Sequence, residues 1–147
     1  MAHARQSIRD NIVSTVSGLS TTGQRVFRNR VYPMGESKLP GLLVYTESEE
    51  IEPSTITPPR TQMRRMNVVI EAYVKAVSNY DETLDTISQQ VEEALSADST
   101  RNDLAKDTRI LSFESEFSGE GDQPVAVGRM SIEVVYATLE NAVSQSV

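Results

Sequence analysis

The sequence contains no cysteine and no tryptophan, and a single histidine, His3, close to its start. Without cysteine there is no disulfide, no thiol nucleophile and no thiolate-bound zinc. With one imidazole, a Ser-His-Asp arrangement, a histidine acid–base pair or a poly-His metal site would have to be built from His3, and the many serines have nothing to activate them. No apolar run approaches the ~18 residues needed to span a bilayer, and MAHARQSIRD lacks the apolar stretch of a secretory signal. Positive charge is also short: 14 Lys and Arg stand against 21 Asp and Glu, a net charge of −7. That weighs against general nucleic-acid binding, which leaves a basic footprint. What remains is 147 residues, 38% hydrophobic and 24% charged, enough for one modest core. The expectation is a soluble, intracellular, single-domain protein spanning 1–147, with no membrane contact, no cofactor and no catalysis.

Charge alternates along the chain. Arg5, Arg9, Arg25, Arg28 and Arg30 face only Asp10 in the first 31 residues. Glu47, Glu49, Glu50 and Glu52 follow, then Arg60, Arg64, Arg65 and Lys75 with one Glu71. Residues 78–100 hold Asp81, Glu82, Asp85, Glu92, Glu93 and Asp98 and no basic residue. Copies of one chain can pair such blocks; equally, each can be a solvated face.

Hydrophobic spacing supplies the elements. Ile8, Ile12, Val13, Val16 and Leu19 share one face of a helix, with Gly18 as its stop. The spacing predicts strands over 25–32 and 41–46, the second apolar on both faces. Residues 47–62, ESEEIEPSTITPPRTQ, are rich in Glu and Pro and predict a long projecting loop. Residues 63–77 alternate, with Met66, Val68, Ile70, Ala72, Val74 and Ala76 on a wholly apolar face and Asn67, Val69, Glu71, Tyr73 and Lys75 on a mixed one. Leu84, Ile87, Val91, Ala94 and Leu95 mark a second helix. Ser78 or Asn79 is placed to cap it, and Asp81, Glu82 and Asp85 suit its dipole. Residues 97–107 form a polar connection. Strands over 109–118 and 125–136 join through the turn Gly119-Glu120-Gly121-Asp122, with Leu111, Phe113 and Phe117 on one face and Ile110 on the other. Residues 137–147 read as a polar tail. The expected fold is α+β, two-layer: a largely antiparallel five-stranded sheet with two helices on one face, in the order α-β-β-β-α-β-β.

Site signals are sparse. Glu47, Glu49, Glu50 and Glu52 offer oxygen ligands for a divalent cation but lack the glycine-punctuated spacing of a calcium loop. Residues 119–122 have neither the lysine nor the following helix of a phosphate loop. Arg25, Arg28, Arg30, Arg60, Arg64 and Arg65 form a basic patch if their strands are neighbours. Such a patch would meet the acidic block at 81–98 of another copy, with Asp81, Glu82 and Asp85 in the contact, touch nucleic acid, or lie as a solvated face. On the interface reading, replacing Arg64 and Arg65 together by Glu impairs assembly and leaves the monomer folded. The 47–62 loop and the 118–124 tip bury nothing at home, as expected of parts that lap onto neighbours.

Taken in order, the helix IRDNIVSTVSGL, the segment TTGQRVFRNRVYP, the strand LPGLLVYTESEEIEP, the unit MNVVIEAYVKAVSNYDETLDTISQQVEEAL and the hairpin SGEGDQPVAVGRMSIEVVYAT resemble the tail terminator family of long-tailed bacteriophages, the lambda-like minor tail protein U group. The resemblance covers roughly residues 5–138 and rests on this pattern of segments, since no catalytic motif defines the family. It implies a structural virion protein, assembled in the host cytoplasm, that forms a hexameric ring on the head-proximal end of the tail tube. The ring ends tube polymerisation and docks the head–tail connector, and DNA passes its lumen without specific binding. An acidic lumen suits passage because it repels the DNA backbone; Glu47, Glu49, Glu50, Glu52, Glu120 and Asp122 are the candidates. Head–tail joining proteins of the same virions share the size and much of the architecture, so a neck protein is the alternative. A small carboxylate metal-dependent enzyme is a third reading, disfavoured by the missing histidines and cysteines.

Overall fold

The computed structural model describes residues 2–28, 39–75, 78–118 and 125–147. Helix α1, Ala4–Val16, buries Ala4, Ile8, Ile12, Val13 and Val16. His3 caps it, its Nδ1 accepting from the Arg5 amide at 3.0 Å. The helix stops before Leu19: Ser17 is extended and Gly18 has φ +84°, a left-handed conformation that glycine adopts freely. Helix α2, Tyr80–Ser96, buries Leu84, Ile87, Val91 and Leu95. Asn79 is its N-cap residue but makes no side-chain cap bond; Asp81 and Glu82 in the first turn are what favour this end.

Six strands form one mixed sheet: β1 (Val26–Phe27), β2 (Gly41–Pro53), β3 (Thr61–Lys75), β4 (Asp107–Ser118), β5 (Val125–Leu139) and β6 (Ala142–Ser146). The order is β1-β2-β3-β5-β4, with β6 pairing β5. All pairings are antiparallel except β1 with β2, which the long connection between them permits. The expected α+β class and helix layer are present; the sheet differs in having a parallel edge strand and a sixth strand. Met66, Val68, Ile70, Ala72 and Val74 of β3 and Ala126, Met130, Ile132, Val134 and Tyr136 of β5 join both helix stripes in one buried cluster. Each fully buried Ile, Leu or Val there contributes about 1.5–3 kcal/mol.

Three segments depart from the expectation. The first is 47–62: it is not a loop but the distal half of the β2–β3 hairpin, with Glu49 opposite Met66, Ile51 opposite Arg64 and Pro53 opposite Gln62. Charge does not prevent pairing at a sheet edge, Pro53 ends the strand, and Pro58 and Pro59 fall in the turn, outside the ladder. The second is 137–147, which completes β5 and folds back as β6; Ala137 and Thr138 are buried, and the Val147 amide donates to the Ala137 carbonyl. Backbone pairing orders this stretch, and small polar side chains give no signal of it. The third is the register of β4. A bulge between Ile110 and Ser112 sets Ile110 opposite Ile132 and Phe113 opposite Met130, so both lie on the helix-covered face while Leu111 is exposed. Only Val26–Phe27 of the 25–32 strand is assigned; 29–38 and the 119–122 turn lie outside the described residues. No described helix is long and apolar enough to cross a membrane.

Candidate assembly surfaces

The acidic run of β2 splits by strand periodicity. A bulge between Thr46 and Ser48 shifts the register, so Glu49 sits opposite Met66 and under the start of α1, whereas Glu50 and Glu52 lie on the opposite face. Glu49 Oε2 accepts from Arg5 Nη2 at 2.6 Å and from Arg64 Nη1 at 2.9 Å, and its Oε1 accepts from the Tyr136 hydroxyl. Arg64 further donates to Thr138 Oγ1 at 3.0 Å and Gln62 Oε1 at 2.9 Å. The Glu49 and Arg64 side chains are 6% and 5% exposed, so this pair is buried, with Arg5, 35% exposed, closing it from the solvent side. Burial pushes the Glu49 carboxyl up, but the hydrogen bonds from Arg5, Tyr136 and Arg64 outweigh it and leave the pKa below its ordinary value. Burial, followed by the adjacent Glu49, drives the Tyr136 phenol well up. The same burial, with the Arg5 and Arg64 charges, holds His3 down and so keeps its ring able to accept the cap bond.

The five described arginines of the expected patch, Arg25, Arg28, Arg60, Arg64 and Arg65, do not come together on one surface. Arg25 donates to the Pro40 and Thr21 carbonyls, holding its own chain. Arg28 is exposed and pairs with Asp10. Arg60 lies at the outer end of the β2–β3 hairpin, 3.5 Å from Glu140. Arg64 is withdrawn into the cluster with Glu49, so it is not a surface residue. Arg65, its neighbour, points to the opposite face, 57% exposed and 3.8 Å from Glu133. Arg30 lies outside the described residues, as do Glu120 and Asp122. Asp81, Glu82 and Asp85 are exposed along the first turns of α2.

The four glutamates do not converge on a cation either. Glu47 pairs with Arg129, Glu49 is enclosed, and Glu50 and Glu52 line a small pocket with Met63, Arg65 and Val135. Among the described residues no three His, Cys, Asp or Glu side chains are grouped as metal ligands.

Two structural residues escaped the sequence reading. Tyr136 was assigned to the apolar face correctly, but nothing in its spacing told that its hydroxyl reaches Glu49. Arg101, in the segment read as a polar connection, is 1% exposed. Its guanidinium donates to the Leu95 and Asp98 carbonyls and reaches Asn11 Oδ1 and Thr15 Oγ1 at 3.4 Å, tying the C-terminus of α2 to α1. Arg101, Asn102 and Asp103 all have positive φ, at 50°, 59° and 65°. The Asn-Asp pair was the available signal, since both tolerate that region.

What the surface does offer is a projecting arm and two exposed apolar sites. The arm is the outer end of the β2–β3 hairpin with its 54–60 turn; β3 stays paired with β5 as far as Thr61 opposite Leu139, so the turn alone reaches beyond the ladder. The turn is closed by the Ser54 amide on the Thr61 carbonyl at 2.7 Å and the Thr61 amide on Thr55 Oγ1 at 2.9 Å. Ile56, within that turn, is 92% exposed. The outer edge of β4 carries the exposed Leu111, Phe113 and Phe117. No family model matches this chain, and no curated protein sequence matches it.

Proposed function

We propose that this chain is a structural virion protein: a tail terminator that assembles as a ring on the head-proximal end of a long-tailed phage's tail tube, ends tube growth and presents the docking surface for the neck. Its partners are copies of itself, the tube subunit and the head–tail connector. DNA crosses the lumen without specific contacts, and the protein performs no catalysis. The reading rests on the ordered pattern of segments, from IRDNIVSTVSGL to the GRMSIEVVYAT strand. The observation that carries it is the turn at the outer end of the β2–β3 hairpin, closed by its own hydrogen bonds and exposed from Ser54 to Pro59, with Ile56 92% exposed. Such an extension is useful to a subunit that laps onto another. Glu50 and Glu52, exposed and free of the Glu49 cluster, are the arm's candidates for a lumen lining that repels phosphate.

The test is tube growth. Purified chain is added to tube subunits under polymerising conditions, and lengths are measured by negative-stain microscopy. Short tubes with a density cap at one end are the expected result. Tubes of unchanged length, with the chain bound instead to a connector ring, would assign it to head–tail joining.

A further inference from the structure

Ile56 stands at the end of the arm with Thr55, Thr57, Pro58 and Pro59 around it, a stiff presentation of one branched apolar side chain. A single exposed apolar residue is ordinary. Here it is accompanied by Arg60, whose carbonyl accepts from the Glu140 amide at 2.8 Å and whose guanidinium, 42% exposed, makes a long 3.5 Å ion pair with the Glu140 carboxylate. The molecule carries a surface of matching chemistry elsewhere. Between the C-terminal half of α2 and the start of β4 lies an open groove of about 320 Å³, with Leu95 and Ile110 on its apolar floor and Glu92 and Glu93 at its rim. A cavity of ~150 Å³ already admits a benzene-sized group, so the groove has room for an isoleucine side chain. Both glutamates are exposed; they accept from the neutral Ser88 hydroxyl and Gln89 amide of their own helix, and no ion pair to them forms among the described residues.

We infer that the arm tip of one copy seats in this groove of a second copy, Ile56 over Leu95 and Ile110 and Arg60 against Glu92 and Glu93. The occupant is a second copy because both halves of the match, apolar plug with apolar floor and cation with acidic rim, are on this one chain. Plug and socket are different patches, so the contact is heterologous, and a heterologous contact that repeats either closes a ring or grows a filament. The inference rests on the ring reading above and specifies which surfaces make the ring.

The absence of cysteine makes the contact directly testable. In the full chain carrying Ile56→Cys and Ser96→Cys, oxidation is expected to give a ladder of covalent oligomers on denaturing gels. Each single variant stops at a dimer or below. Ile56→Asp is expected to weaken self-association by about tenfold or more without moving the monomer's melting temperature, because the side chain is exposed in the monomer. Arg60→Glu, and Glu92→Arg with Glu93→Arg, each weaken it, and the three changes combined restore it. Rings that form normally with Ile56→Asp, or intact rings that yield no ladder, overturn this contact and leave the ring reading standing. A wild-type chain that stays monomeric with and without tube subunits overturns both.

Discussion

The two halves of the β2–β3 hairpin belong to one pair of strands and are held by different forces. From Gly41 to Tyr45 every residue of β2 is buried, and β3 opposite it contributes Val68, Val69, Ile70 and Ala72 to the interior. Beyond Thr46 the same strand is mostly exposed, and the ladder continues to Pro53 on backbone hydrogen bonds. The change occurs at the Thr46/Ser48 bulge and is fastened by Glu49, whose carboxylate gathers Arg5 from α1, Arg64 from β3 and Tyr136 from β5. The difference teaches that side-chain burial holds the inner half, whereas backbone pairing pinned by a single ion cluster holds the outer half. Within the outer half the two faces of the sheet differ as sharply: Arg64 is inside the cluster and Arg65, on the opposite face, is in solvent.

That comparison can be broken in order of expected effect. Ile87→Asp places a charge against the buried half and is expected to cost about 5 kcal/mol or more, most of a small domain's stability. Loss of the cooperative denaturation transition checks it. Arg64→Glu puts a second carboxylate beside Glu49 and strips Thr138 and Gln62 of their donor; about 3–5 kcal/mol is expected by urea denaturation. The expectation that Arg64 and Arg65 could be reversed together in a folded monomer is therefore withdrawn.

Glu49 adds a pH dependence. Its folded pKa lies below the ordinary 4.5, so its contribution is complete above that value and is lost as pH falls through the lower folded value. Urea midpoints of the wild type should fall more steeply below pH 4.5 than those of Glu49→Gln; parallel curves would contradict the cluster's role. The smallest effect belongs to Arg65→Glu, within about 0.5 kcal/mol for an exposed side chain with one long ion pair. An equal cost for Arg64→Glu and Arg65→Glu would erase the difference between the faces.

The buried half was legible in the sequence because its physics is written in side chains. One apolar face at alternate positions from Met66 to Val74 and from Ala126 to Tyr136, and the stripes Ile8–Val16 and Leu84–Leu95, mark the core side at the period of the element. The arm and β6 were not legible, because backbone pairing holds ESEEIEP and AVSQS and leaves no hydrophobic period. Register was lost where bulges intervene: at Ser48 one extra residue sends Glu49 inward, and at Leu111 another returns Ile110 to the core side. The basic patch failed for a related reason. Arg25, Arg64 and Arg65 are near in charge plot but are respectively tied to local carbonyls, buried, and exposed on the far face. Among the described arginines of that set, Arg60 is the one at the exposed outer turn, and the proposed contact between copies draws on it.

The most direct test of the assembly claim is the solution mass of the full chain, measured by light scattering across a range of concentrations, alone and with tube subunits. A discrete closed species of about six 16.3 kDa copies, forming alone or on the tube end, is the predicted result. A 16.3 kDa monomer at every concentration, with tube growth unaltered by its presence, would contradict it.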